Sequence, residues 1–312
     1  MTTLRMICFD IEQKNLGVTS EVMSSQECEV YNQPILRCGK CAFRFAERTY
    51  IMGILNVTPD SFSDGGKFLD HRSALEHARR MAAEGADIID VGGESTRPEA
   101  RRVSLEEELK RVIPLIEKIA SQIDVPVSID TTKADVAEEA LDAGAVMIND
   151  ISALRRDAKM APLAADRGVP VVLMHMRGTP QTMQHKVVYK DLISEVYSFF
   201  KERIAYAESV GIDSQKIIID PGIGFGKSVP DGNLKIIEKL SSFKKLGKPI
   251  MVGPSRKAFI GSVLNLGIEE REEGTAAAIS LAINNGANIV RVHDVGKMKR
   301  VVKMVDAILA VN

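Results

Sequence analysis

Short apolar runs rich in Ile and Val recur along the chain from residue 50 onward. They lie at 50–55, 87–91, 126–129, 146–148, 170–174, 216–219, 249–252 and 288–292. Runs of this length, apolar rather than alternating, fit strands buried on both faces. Between most of them the spacing of apolar residues changes to three and four. Residues 73–84 repeat Ala and Leu in that way, and 104–120, 191–210 and 271–285 read as amphipathic helices too. Ser104 followed by Glu107 is a capping box. Several helical stretches stop at a glycine just before the next strand: Gly85, Gly144, Gly168, Gly211, Gly247 and Gly286. Repeated C-caps of this kind mark regular helix-to-strand turns. Eight strands alternating with helices over about 260 residues predict a (β/α)8 TIM barrel. An open doubly wound sheet is the competing arrangement, and the count of eight favours the barrel.

Upstream of that rhythm, Ile35–Cys38 and residues 41–45 flank Gly39 and Lys40, which predicts a β-hairpin with glycine first in its turn. Residues 1–33 have weak periodicity and predict a short irregular N-terminal extension. The expected organisation is therefore an extension over 1–33 and a single barrel domain over 34–312.

Each apolar run gives way to residues that are polar, small or charged. In order, the exits are Asn56; Gly92 to Arg97; Asp130; Asn149 and Asp150; His175; Asp220; Ser255, Arg256 and Lys257; and Arg291 with His293. In a barrel these strand ends converge on one face, so residues far apart in sequence form one pocket. A carboxylate after a strand also serves as a helix cap, and Asp150 and Thr132 fit that role. The first exit is distinctive. After Asn56 the chain runs through Asp60, Phe62 and Asp64 to Gly65 and Gly66. An aromatic between carboxylates fits a substrate-gripping loop better than a plain connection.

Composition narrows the class. With 45% hydrophobic and 27% charged residues the chain reads as globular, and its net charge of −1 offers no basic footprint for nucleic acid. No apolar run approaches membrane-spanning length, and the first residues lack the apolar core of a signal peptide. Four cysteines are too few for a disulfide scaffold, so the cytoplasm is the expected compartment. Cys38 and Cys41 form a C-x-x-C. Zinc would need two more ligands, and Cys8 and Cys28 stand at spacings unlike paired knuckles, so the pair reads as cross-strand neighbours beside a hairpin turn.

The exits sort by chemistry. Asp130, Asn149 and Asp220 supply acceptors and an amide that could read a nitrogen heterocycle edge-on. Arg97, Lys257, Arg291 and His293 are cationic or able to become so, and suit a phosphate or pyrophosphate. Asn56 and Asp64 are oxygen ligands of the type Mg2+ takes beside a substrate phosphate. Residues 220–228, DPGIGFGKS, imitate a phosphate loop, yet Pro221 stands where a Walker glycine belongs, and Lys227 replaces the third glycine of a dinucleotide fingerprint. These glycines instead fit a loop running close to a flat ligand, with Phe225 as a wall. His175 and His185 receive no role.

Taken in order, NVTPDSFSDGG at 56–66, DVGGESTRPEA at 90–100, SIDT at 128–131, NDI at 149–151, LMHMRGTPQTMQ at 173–184, DPGIGFGK at 220–227, GPSRKAFIG at 253–261 and RVHDV at 291–295 resemble the dihydropteroate synthases. The resemblance covers the chain from about residue 50 to its end. Glu99 departs from the family's usual glycine without removing a functional side chain. The resemblance implies condensation of 6-hydroxymethyl-7,8-dihydropterin pyrophosphate with p-aminobenzoate, giving 7,8-dihydropteroate and pyrophosphate in folate synthesis. It implies a pterin held by Asp130, Asn149, Asp220 and Lys257, with Asp90 beneath. Pyrophosphate would meet Asn56, Arg97, Arg291 and His293, and Mg2+ would sit with Asn56 or Asp64. The p-aminobenzoate pocket, where sulfonamides would compete, would be finished by Phe62, Thr96 and Pro98, with Phe225 and Ser255 nearby. Catalysis would rest on Asn56, Asp64, Arg97 and Lys257, in a homodimer formed through the last helices. A corrinoid-linked pterin methyltransferase and a silent pterin-binding paralogue are the rival classes. The first does not need the two polar loops or a cationic cluster, and the intact loops argue against the second.

Overall fold

The computed structural model of the chain describes residues 35–57, 67–96, 100, 102–183 and 187–311. The expected extension over 1–33 and the side chains Phe62, Asp64, Arg97, Pro98 and His185 lie outside them.

Strands β1 (Ile35–Cys38) and β2 (Cys41–Arg44) pair antiparallel with Cys38 opposite Cys41, and Gly39 turns between them at φ 57°. Eight parallel strands come next: β3 (Tyr50–Asn56), β4 (Ile88–Gly92), β5 (Val127–Asp130), β6 (Met147–Asp150), β7 (Val171–Met174), β8 (Ile217–Asp220), β9 (Met251–Val252) and β10 (Ile289–Val292). Their order is β8-β7-β6-β5-β4-β3-β10-β9, and Ile219 bridges to Ile250 beside β9, which closes the ring. The expected barrel is the observed one.

Helices α1 (Lys67–Glu84), α2 (Leu105–Gln122), α3 (Ala134–Asp142), α4 (Met160–Arg167), α5 (Leu192–Ser209), α6 (Asn233–Glu238), α7 (Ala258–Leu264), α8 (Glu272–Asn284) and α9 (Val295–Leu309) lie between and after the strands. The six glycines read as helix stops all have positive φ, from 57° to 110°. Ser104 caps α2, its hydroxyl accepting from the Glu107 N–H at 3.2 Å. β9 is shorter than its apolar run. There the Ile250 N–H donates to the Asn288 side chain at 2.9 Å instead of to a strand carbonyl.

Alternation along the strands divides the core in two. Ile51, Leu55, Ile89, Val91, Ile129, Ile148, Leu173 and Ile219 pack outward with the helices. Met52, Ile88, Met147, Val172, Ile218, Met251 and Ile289 pack inward, together with Leu36, Phe43 and Phe45 of the hairpin segment. Phe43 and Phe45 both meet the Tyr50 ring edge-on, at 4.8 and 5.5 Å. The hairpin therefore plugs the amino ends of the strands and leaves chemistry to the carboxyl ends. There the register aligns Asn56 with Gly92, Gly92 with Asp130, and Asp130 with Asn149. Three of the expected polar exits thus share one row of the barrel.

Candidate active site

The centre of the carboxyl-end face is a buried charge network. The Asp90 carboxylate, fully buried, accepts from Asn149 Nδ2 at 2.9 Å and from Arg291 Nε at 2.7 Å, both on Oδ2. Arg291 Nη2 donates to Asp130 at 2.7 Å. One guanidinium thus bridges two carboxylates. Burial raises the Asp130 pKa; Arg291 opposes the rise, whereas Asp90 and Glu108 add to it. Burial works against the Arg291 charge, yet Asp90 and Asp130 hold it above the ordinary arginine range. Because Asn149 gives its Nδ2 to Asp90, its Oδ1 is the end left to accept from a ligand.

Asp220 ends β8, and its Oδ1 accepts from the Gly222 N–H at 2.7 Å. Burial raises its pKa, opposed by that hydrogen bond and by Lys257. Lys257 places Nζ 4.1 Å from the centroid of the Phe225 ring, a cation–π contact. Burial, then repulsion from Arg291, pushes the Lys257 pKa down to about 8. His293 Nδ1 lies 3.0 Å from the Ser255 hydroxyl, which also accepts from the His293 backbone N–H at 3.2 Å. Burial and Arg291 push the ring down to about 3, so it is neutral near pH 7. His293 is thus neutral, where its residue type alone allowed a cation.

A cleft of about 720 Å3 opens over this network, lined by Asn56, Thr96, Asp130, Phe225, Ser255, Lys257, Arg291 and His293 among others. Asp90, Asn149 and Asp220 are buried residues outside that lining. Eleven of the fifteen expected site residues are described, and eight of these line the one cleft.

Some features were not foreseen. Ile151, Met174, Met176, Met183 and Phe225 form a small apolar cluster, whose sequence signal was the Met-rich segment 173–184. Lys133 Nζ bonds both Glu94 and the buried Glu108, Thr131 donates to Glu108 at 2.7 Å, and Arg111 donates to the Gly93 carbonyl at 2.8 Å. These bonds tie the start of the second polar segment to α2. Neither residue read as a helix cap is one. Asp150 caps a turn, accepting from the Ser152 and Leu154 N–H groups ahead of α4. Thr132 precedes the α3 N-cap, Lys133, and the first N–H of that helix, on Ala134, is met by Asp157 from another loop at 2.8 Å.

Known proteins give the same picture. The model of the family described as pterin binding enzyme matches residues 52–293. The dihydropteroate synthase of Bacillus subtilis is 52% identical over 268 residues, which cover 86% of this chain and 91% of that protein. The Xanthomonas albilineans dihydropteroate synthase solved with 4-aminobenzoic acid superposes with a TM-score of 0.84 at 45% identity, covering 90% of this chain and 100% of the other. The same organism's enzyme in complex with 7,8-dihydropteroate gives 0.81 at 43% identity, covering 89% and 100%. The chain belongs to the pterin-binding enzymes and, within them, to the dihydropteroate synthases.

Proposed function

We propose that this chain condenses 6-hydroxymethyl-7,8-dihydropterin pyrophosphate with p-aminobenzoate, releasing 7,8-dihydropteroate and pyrophosphate for folate synthesis. The observation that carries the reading is the Asp90–Asn149–Arg291–Asp130 network under the cleft, joined there by Lys257 and Phe225. Carboxylates and an amide acceptor suit the N–H edge of a pterin, and the Lys257 cation suits a ring acceptor. Arg291 and the neutral ring of His293, with Asn56 and Arg97, suit the pyrophosphate. Thr96, Phe225 and Ser255 line the cleft where the arylamine would sit, and Phe62 and Pro98 would complete its pocket.

Among the described residues no three His, Cys, Asp or Glu converge as a protein-built metal site would need. The donor set instead fits an ion carried by the pyrophosphate and completed by Asn56 and Asp64, which suits Mg2+ with its retained waters. Bound there, Mg2+ would neutralise charge on the departing pyrophosphate. The chain's residues do the rest by binding and orientation. The methylene carbon loses its bond to the pyrophosphate oxygen as the dihydropterin ring releases electrons toward it. The arylamine nitrogen then forms the new C–N bond and gives its proton to solvent. Cations beside the leaving group stabilise the charge that develops, and no strong general base is required.

The pterin pyrophosphate binds first in this reading, because the pocket for the amine is completed by the two polar loops that pyrophosphate and Mg2+ engage. No helix among the described residues is long and apolar enough to cross a membrane. Exposed apolar side chains on α8 and α9 support a homodimer. Assay with both substrates is the test. Dihydropteroate and pyrophosphate formed in equal amounts is the expected result. Pterin binding without turnover would indicate a silent paralogue, and methyl transfer with no arylamine product would indicate the methyltransferase class.

A further inference from the structure

Lys227 lines the cleft but has no role in the chemistry above, and it is among the most deeply buried titratable groups of the described residues. Its side chain is 3% exposed. Nζ lies 3.0 Å from His175 Nδ1, 3.2 Å from the His175 carbonyl, 2.9 Å from the Gly222 carbonyl and 3.1 Å from the Phe225 carbonyl. Its hydrogen bonds include no carboxylate, and burial pushes its pKa down to about 7 with Asp220 opposing the fall. The geometry nonetheless calls for the ammonium, because three carbonyl oxygens around Nζ need three N–H donors. An ammonium donates and never accepts, so His175 Nδ1 must be the acceptor and the ring neutral. Burial, then the Lys227 charge, pushes His175 down to about 2, in accord with a ring that stays neutral.

Two of the acceptors, the Gly222 and Phe225 carbonyls, come from a loop that needs such a centre. Gly222, Gly224 and Gly226 all have positive φ, which turns successive carbonyls out of any regular ladder. A side chain at Gly222 would collide with the His175 carbonyl oxygen, so the loop also runs hard against the end of β7. The same loop carries two parts of the site. Gly222 gives its N–H to Asp220 while its carbonyl accepts from Lys227. The Phe225 carbonyl accepts from Lys227 while its ring faces Lys257.

We propose that Lys227 is a positioning residue: its ammonium fills a cup of backbone carbonyls as a bound cation would, and so fixes Asp220 and Phe225 for the pterin. The inference rests on the synthase reading for what is positioned, but not for the cup itself. A cation that organises and does not react has two consequences. Removing it lowers catalysis by loosening Asp220 and Phe225, and a small cation of the right size restores what a neutral molecule of the same size does not.

The first measurement is on the wild-type protein. The 15N spectrum of its lysine side chains at pH 6, below the Lys227 pKa of about 7, should show an ammonium whose protons are shielded from solvent exchange, absent in Lys227→Met. A wild-type protein with no such signal overturns the proposal. The second is rescue. Lys227→Ala should lose about ten- to a hundredfold in kcat/KM for the pterin pyrophosphate, the range expected when hydrogen bonds to a charged group are removed. Added n-propylammonium should recover at least part of the loss, and n-propanol should not. Full activity in Lys227→Ala, or equal rescue by both additives, overturns the proposal. A wild-type protein that turns over no arylamine would refute the synthase reading instead, and the 15N signal would still decide the cup.

Discussion

Lys257 is a cation held where burial disfavours its charge, and that tension can be read as a pH profile. Its pKa is pushed down to about 8, so it is protonated below that value and loses its proton above it. If the charged form faces the pterin, kcat/KM for the pterin pyrophosphate should fall as pH rises through about 8. Lys257→Arg cannot lose its proton in this range, so the variant should lack that alkaline limb even though its overall rate is lower. An unchanged limb in the arginine variant would assign it to another group. Asp90 gives a second expectation. Lining no part of the cleft, it acts by holding Asn149 and Arg291. Asp90→Ala should cost roughly 3–5 kcal/mol of stability, the usual result of removing one partner of a buried ion pair. Denaturant titration measures it, and a loss within experimental scatter would show that Arg291 is satisfied by Asp130 alone. Sequence reading found these side chains because a polar residue ending an apolar strand is a local signal. It could not find their partners, since Asp90 and Arg291 stand 201 positions apart. Nor could it weigh burial, which makes His293 neutral and leaves Lys227 buried inside a segment read as a glycine loop passing close to a flat ligand, with no role for its lysine.

At the scale of elements, periodicity carried most of the fold, because strand and helix spacing are properties of short windows. It failed where a distant side chain decides an end, as Asn288 does at β9 and Asp157 does at α3. The hairpin shows both sides. Its turn was legible in Gly39 and Lys40, but its position across the barrel floor depends on Leu36, Phe43 and Phe45 meeting side chains from seven strands. That placement bears on the cysteines. Cys38 is fully buried, with Sγ 3.6 Å from the Val146 carbonyl, and burial pushes its thiol up to about 12. A thiol at that pKa is neither a good nucleophile nor a ready metal ligand. The double variant Cys38→Ser, Cys41→Ser should therefore retain synthase activity and bind no zinc. It should lose about 1–3 kcal/mol through the hydroxyl buried at position 38. One zinc per chain in the wild-type protein, lost in the variant, would reject the hairpin reading of the pair.

The whole molecule has its substrate cleft at the carboxyl ends of the strands and an apolar plug at the amino ends, so neither face of the barrel is free for assembly. The outer helices are. On α9, Met304 and Ile308 are one helical turn apart and 62% and 57% exposed, and Leu281 on the adjoining α8 is 57% exposed. Single exposed apolar residues are ordinary, but a stripe on two packed helices is the form a self-complementary interface takes. A two-fold dimer would place each stripe against its copy. The paired substitutions Met304→Glu and Ile308→Glu then put like charges face to face while leaving each barrel core untouched. The wild-type protein should sediment as a dimer and the double variant as a monomer, with the same circular dichroism spectrum. Exposed substitutions that touch no core feature change stability by about 0.5 kcal/mol at most, so any larger loss of monomer stability would mean these side chains pack within the barrel's own shell. A wild-type protein that sediments as a monomer at micromolar concentration would remove the dimer, and the site, built from one chain's strands, would stand without it.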